Sequence, residues 1–201
     1  VGQPGAATRR AEAGGVADVL YTVGHSTRSL EELVELLRRA GVEQLVDVRT
    51  APGSRRNPQF GRGPLSAALE AAGIAYRHEP ALGGFRRPRP DSPNGGWEHP
   101  AFRGYADHMS SPEFARALAA LEGEARRRVT AVMCAEAQWW RCHRRLIADA
   151  LLVRGWEVRH LGVRAEPVKH ELTPFAVVGP GGALTYPPPN GFPRRLPTLH
   201  S

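Results

Sequence analysis

The apolar residues of this chain fall into short runs that suit buried strands, separated by stripes at helical spacing. Val19-Leu20-Tyr21-Thr22-Val23 reads as a first strand running into Gly24. Leu30, Leu33, Val34 and Leu37 follow on one side of a helix that stops at Gly41, with Ser26 or Thr27 as its cap and Glu31 and Glu32 in its first turn. Gln44 to Arg49 reads as a second strand, ended by the Pro/Gly-rich loop around Pro52 and Gly53. A helix over 64–72 and a strand over 74–78 come next, and Pro64 suits a first helical turn. From Glu79 to Pro100 the pattern lapses into a loop long enough to be either functional or disordered. Helices are predicted over 102–109 and 112–126, the second opening at Ser110 or Ser111 with Pro112 in its first turn.

The stretch 127–152 organises the rest. Val129 to Met133 is too short for a helix and predicts a buried strand ending at Cys134. Leu146, Ile147, Ala150 and Leu151 have the spacing of a helix face, and four residues earlier Cys142 and His143 open its inward stripe. Trp156 to Leu161 reads as a last strand. Five strands alternating with helices predict an α/β fold: a single domain with a mainly parallel five-stranded sheet flanked by helices on both faces. Residues 1–17 read as a mobile tail, 18–178 as the domain, and 179–201 as a Pro/Gly-rich tail in which Tyr186-Pro187-Pro188-Pro189 forms neither helix nor sheet.

Composition narrows this picture. No run approaches the ~18 apolar residues of a membrane helix, so no membrane partner is expected. Val1 to Val16 carry no hydrophobic centre of a secretory signal. Two cysteines are too few for a disulfide scaffold, and the expectation is a reduced, cytoplasmic protein. The formal charge of +7 suits an anionic partner, yet nearly all of it is arginine, a skew that a GC-rich genome would also produce. Lys169 is the only lysine, which leaves little room for Schiff-base chemistry.

Parallel strands would bring His25, Asp47, Arg49, Cys134 and Glu136 to one sheet edge, where open α/β sheets bind ligands. Cys134 reads as a thiolate nucleophile or as a small buried hydrophobe. Cys142 and His143 read as resolving thiol and base, as metal ligands, or as a packed first turn. Zinc or iron on Cys134, Cys142 and His25 is weighed against the ligand count such a site needs, and no cofactor is assigned. A Cys134–Cys142 disulfide is conceivable but at odds with a reducing compartment. Glu136 is a candidate general acid or base, with a partnership to Arg49, Arg141 or Arg144 slightly favoured. Arg145 and Asp149, four apart, read as a solvated surface pair, leaving Arg144 without a local partner. Arg49, Arg55 and Arg56 with Ser54 and Asn57 suit phosphate or another anion. Trp139 and Trp140 read as a roof over the site, or as a platform on which a base could stack. A phosphatase or rhodanese loop would need Arg at the sixth position after the cysteine, where Trp140 stands and Arg141 is one too far.

Several stretches together resemble the DUF488 family of α/β proteins: Tyr21 to Ser26, Asp47-Val48-Arg49 with Pro52 and 54–60, Leu82-Gly83-Gly84, Gly104-Tyr105, Cys134-Ala135-Glu136 and Cys142-His143-Arg144. The similarity runs from about Leu20 to Tyr186, with Phe85 interrupting the basic residues that follow Leu-Gly-Gly. The resemblance implies a fold and a shared site, without a reaction. Two readings stand. One is an enzyme for an anionic, nucleotide-like small molecule, with Cys134, Glu136, Cys142 and His143 as catalytic residues and His25, Ser26, Asp47, Arg49, Ser54, Arg55, Arg56, Arg144 and Trp140 binding. The other is a nucleic-acid-binding or repair-associated module without covalent chemistry.

Overall fold

The computed structural model describes residues 18–53 and 56–189, so the N-terminal tail lies outside the described residues. The sheet is α/β and mainly parallel. Strands β1 (Val19–Gly24), β2 (Gln44–Asp47), β3 (Ala75–His78), β4 (Thr130–Cys134) and β5 (Glu157–Leu161) run parallel in the order β3-β2-β4-β1-β5. A strand absent from the sequence reading, β6 (Val168–Lys169), closes the β5 edge antiparallel. Two residues are too few to leave a period in the sequence.

Helices α1 (Leu30–Arg39) and α2 (Arg62–Ala71) cover one face, and α3 (Pro100–His108), α4 (Pro112–Ala125) and α5 (Arg144–Val153) the other. The period of two sorts the strands between them. Val23, Leu45, Ala131, Met133 and Leu161 pack with Leu33 and Leu37 of α1 and Leu65 and Leu69 of α2. Leu20, Val46, Val132, Cys134 and Val158 pack with Tyr105 of α3, Leu118 of α4 and Leu146 and Ile147 of α5. Central β4 is buried along its whole length, as a parallel strand covered on both faces must be.

Helix α1 is capped by Ser29, not by Ser26 or Thr27. Ser29 Oγ accepts from the Glu32 N–H while the Glu32 carboxylate accepts from the Ser29 N–H, a reciprocal capping box. Ser26 instead turns the chain at the end of β1 with a φ of 50°. Helix α4 opens as expected, with Ser111 accepting from the Phe114 N–H and Pro112 in its first turn.

The long loop after β3 is pinned rather than loose. Buried Asp107 accepts from the Arg89 N–H, the Ser92 hydroxyl and the Asn94 amide. At Gly104 a Cβ would stand 2.3 Å from the Arg86 carbonyl oxygen, so only glycine lets α3 pass this loop. Past the sheet, β7 (Val177–Val178) and β8 (Leu184–Thr185) form an antiparallel ribbon across the expected boundary at 178 and 179. Residues 186–189 carry no regular structure, but Tyr186 is fully buried.

Candidate thiol site at the switch point of the sheet

Gly24 of β1 is in register with Cys134 of β4, and Asp47 of β2 with Met133 and His78, so these strands end at one edge. From β1 the chain leaves into α1 on one face, and from β4 towards α5 on the opposite face. Neighbouring strands whose connections part in this way open a crevice between them. Past the strands, the His25 N–H donates to the Cys134 carbonyl and the Val48 N–H to the Met133 carbonyl, which holds the three loops together.

Cys134 points to the α5 face. There it meets Cys142, which precedes the helix, and the two Sγ atoms lie 2.7 Å apart. His143 follows, with Nε2 at 3.2 Å from the Val48 carbonyl oxygen. A carbonyl only accepts, so in the neutral ring the proton sits on Nε2 and the lone pair on Nδ1, which faces Cys142 Sγ at 3.6 Å. Leu82-Gly83-Gly84 passes over this ring. A Cβ at Gly84 would stand 3.0 Å from His143 Nδ1, and Tyr105 O–H ties the strip down through the Leu82 carbonyl.

Arg144 is fully buried, with its main-chain N–H directed at Cys142 Sγ. Its guanidinium donates to Thr22 Oγ1 and to the main-chain carbonyl of Glu136, while Nε has no partner among the described residues. The contact is to the Glu136 backbone only: the expected pairing of its carboxylate with an arginine is not seen among the described residues, and the side chain is exposed. Among the described residues no carboxylate pairs directly with buried Arg144. Gly24 makes room for this contact, since a Cβ there would collide with the Glu136 carbonyl and reach within 2.8 Å of Arg144 Nη2.

Burial on its own would raise the Cys142 thiol. The hydrogen bond with Cys134 and the charge and N–H of Arg144 outweigh it, bringing Cys142 down to about 6. Cys134 moves the other way, raised well above the usual thiol range by its bond to Cys142 and by burial. Burial lowers His143 and keeps it neutral as an acceptor.

A second group stands beside the thiols. Arg49 forks onto Asp47 and donates to the Phe60 carbonyl at 2.9 Å. Its Nη1 also donates to His25 Nε2 at 3.3 Å, which places the His25 proton on Nδ1, facing the Ser26 carbonyl. His25 stacks on Phe60 and is lowered by burial. Tyr76 O–H completes the Asp47 shell. Arg49 and His25 thus face each other rather than an open site.

His143 Nδ1 and the two sulfurs lie within 4.8 Å of one another, a donor set of the kind that holds zinc. Two thiolates on a tetrahedral ion with ~2.3 Å bonds stand about 3.8 Å apart, wider than these sulfurs. His25, weighed as a ligand, has spent both ring nitrogens. As placed, the two sulfurs stand too close for one tetrahedral ion and too far apart for a disulfide bond of ~2.05 Å.

The remaining expected residues divide. Ser54 and Arg55 lie outside the described residues, and Arg56 is on an exposed loop. Trp139 stacks flat on His160 at 4.1 Å, behind the site, while Trp140 is 40% exposed. The Arg145–Asp149 surface pair does not form. Asp149 is fully buried and receives His170, the Thr173 N–H and Tyr186 O–H, and Arg145 bonds Thr173 and lies over Trp97. Thr22, His160, His170 and Tyr186 escaped the sequence reading. Thr22 and His160 had a signal, as polar residues at core-facing positions of strands.

A mainly parallel α/β sheet with a cysteine, histidine and arginine cluster at its switch point defines the class. The chain belongs to the DUF488 family, described as a domain of unknown function, whose family model matches residues 29–151. No curated protein and no solved structure matches it.

Proposed function

We propose that this protein is a dithiol enzyme acting by thiol–disulfide exchange, with Cys142 as nucleophile and Cys134 as resolving thiol. The observation that carries the reading is the 2.7 Å approach of the two sulfurs beside the buried, carboxylate-free guanidinium of Arg144. The Cys142 thiolate attacks one sulfur of a substrate disulfide, and the first substrate thiolate leaves. Cys134 then gives its proton to His143 Nδ1 and attacks Cys142 Sγ, expelling the second thiolate. One intramolecular disulfide forms, the substrate is reduced by two electrons, and thiols in the medium reverse the exchange. The reactive role anticipated for Cys134 passes to Cys142, because the arginine and the helix N-terminus act on the latter. The chain's formal charge of +7 favours anionic disulfides. Glu136, with an exposed side chain, has no proton-transfer step here.

The nucleic-acid reading draws less support. Arg49 and Arg144 turn inward and Trp139 is committed to His160.

An anionic aromatic disulfide, dithiobis(nitrobenzoate), tests the mechanism. The native protein should release two equivalents of thionitrobenzoate and lose two hydrogens, with peptide mapping showing Cys134 joined to Cys142. Cys134→Ser should release one equivalent and stop at a mixed disulfide on Cys142, and Cys142→Ser should react slowly. Two stable adducts on the native chain, or reaction no faster than a model thiol, would remove the proposal.

A further inference from the structure

Behind the thiols lies a file of buried polar groups that the exchange mechanism does not use. Thr22 of β1, His160 of β5, His170 just after β6 and Asp149 of α5 are all fully or almost fully buried. Arg144 Nη1 is 3.3 Å from Thr22 Oγ1, which is 2.7 Å from His160 Nδ1. His160 Nε2 is 3.0 Å from His170 Nδ1, and His170 Nε2 is 2.9 Å from Asp149 Oδ1.

The two ends fix the direction of the outer bonds, and a single tautomer of each ring carries it through the inner ones. Arginine only donates, so Thr22 Oγ1 accepts from Nη1 and keeps its single proton available for His160 Nδ1. A carboxylate only accepts, so His170 Nε2 carries a proton towards Asp149, and along this chain of bonds its Nδ1 accepts from His160 Nε2. His160 then donates from Nε2 and accepts at Nδ1, where the Thr22 hydroxyl can supply the proton. Burial holds the His160 ring neutral, lowering it to about 2, and Trp139 stacks on it at 4.1 Å.

We propose that Thr22, His160, His170 and Asp149 are positioning residues, a one-way hydrogen-bond chain that fixes the Arg144 guanidinium between Thr22 and the Glu136 carbonyl while the Arg144 main-chain N–H meets Cys142 Sγ. The consequence for Cys142 rests on the thiolate reading above; the chain itself does not. Its value lies in distance. A carboxylate against Arg144 would cancel the charge that the sulfur feels. Placed at the far end of three links, Asp149 compensates the buried cation and leaves its field on Cys142. Asp149 is fixed by the Thr173 N–H and Tyr186 O–H, so the thiol site reaches into 160–186, past the family-matching segment. Among the described residues, the other titratable or charged groups around Cys142 are Cys134 from β4, His143 just before α5, Tyr105 from α3 and Arg86 from the loop above.

Two measurements test this on the intact protein. The first is the pH profile of Cys142 alkylation by iodoacetamide, read by peptide mapping. Thr22→Val, which keeps the volume and loses the hydroxyl, should shift the midpoint up by about one unit, a tenfold loss of thiolate at fixed pH. Thr22→Ser should restore the native profile. A Thr22→Val profile superimposed on the acid-shifted native one would overturn the proposal. The second is nitrogen-15 NMR of the imidazoles, which should show both His160 and His170 protonated on Nε2 alone. A proton on Nδ1 of either ring would overturn the chain whatever the thiols do. An ordinary native Cys142 titration with both rings in the stated tautomer would uphold the chain and remove the thiolate reading.

Discussion

Arg49 closes a fork on Asp47, its Nε and Nη2 lying 2.9 and 2.6 Å from the two carboxylate oxygens, with both side chains buried past the end of β2. Asp47 also accepts from the Arg49 N–H and Tyr76 O–H, so the pair holds the loop entering the site and the neighbouring strand together.

Asp47→Asn keeps the shape and removes the charge, leaving the Arg49 guanidinium buried without a counter-ion. Breaking a buried pair from one side costs roughly 3–5 kcal/mol, and that loss is expected in urea unfolding. Arg49→Lys should not rescue folding, because an ammonium cannot form the fork or reach the Phe60 carbonyl as well. A change below about 1 kcal/mol in Asp47→Asn, the range of exposed pairs, would mean that the fork is incidental.

Stability should climb with pH in two stages. His25, His108, His143 and His160 are all lowered, chiefly by burial, below the ~6.5 of an unfolded histidine. The unfolded chain therefore takes up protons below about 6.5 that the folded chain refuses, and stability falls as the solution is acidified. Cys142, at about 6 when folded, adds a rise from there to its unfolded value near ~8.5. Cys134, raised when folded, turns the slope downward only above that window. Urea midpoints measured between pH 5 and 8.5 should show both rises. Cys142→Ser should flatten the upper one and keep the lower, and a native profile level above pH 6.5 would contradict the lowered thiol.

What the sequence disclosed and what it hid divide along range. The five parallel strands were readable because apolar runs, Gly stops and parallel connection rules are local. Ser29 and Glu32 spell a capping box that was legible but lost to the nearer Ser26 and Thr27. The direction of Arg144 was hidden, because its partners are a carbonyl eight residues back and a hydroxyl on a different strand. The i,i+4 spacing of Arg145 and Asp149 misled for the same reason. Spacing fixes which side chains share a helix face, and only tertiary packing decides that this face lies under Tyr186 and His170.

That reversal can be measured directly. As an exposed i,i+4 pair, Arg145 and Asp149 would each cost at most about 0.5 kcal/mol when removed. In the observed arrangement Asp149→Ala strands three donors, on His170, Thr173 and Tyr186, and each unmet buried group costs about 1–3 kcal/mol. Tyr186→Phe removes one of those donors and leaves a carboxylate oxygen short, for about 1–2 kcal/mol. Arg145→Ala loses its bond to Thr173 and its place over Trp97, 5.0 Å from the ring centre, for about 1 kcal/mol. Chemical unfolding should therefore rank Asp149→Ala well above the other two. Equal, small losses for Asp149→Ala and Arg145→Ala would return Asp149 to the surface and leave Tyr186 nothing to hold.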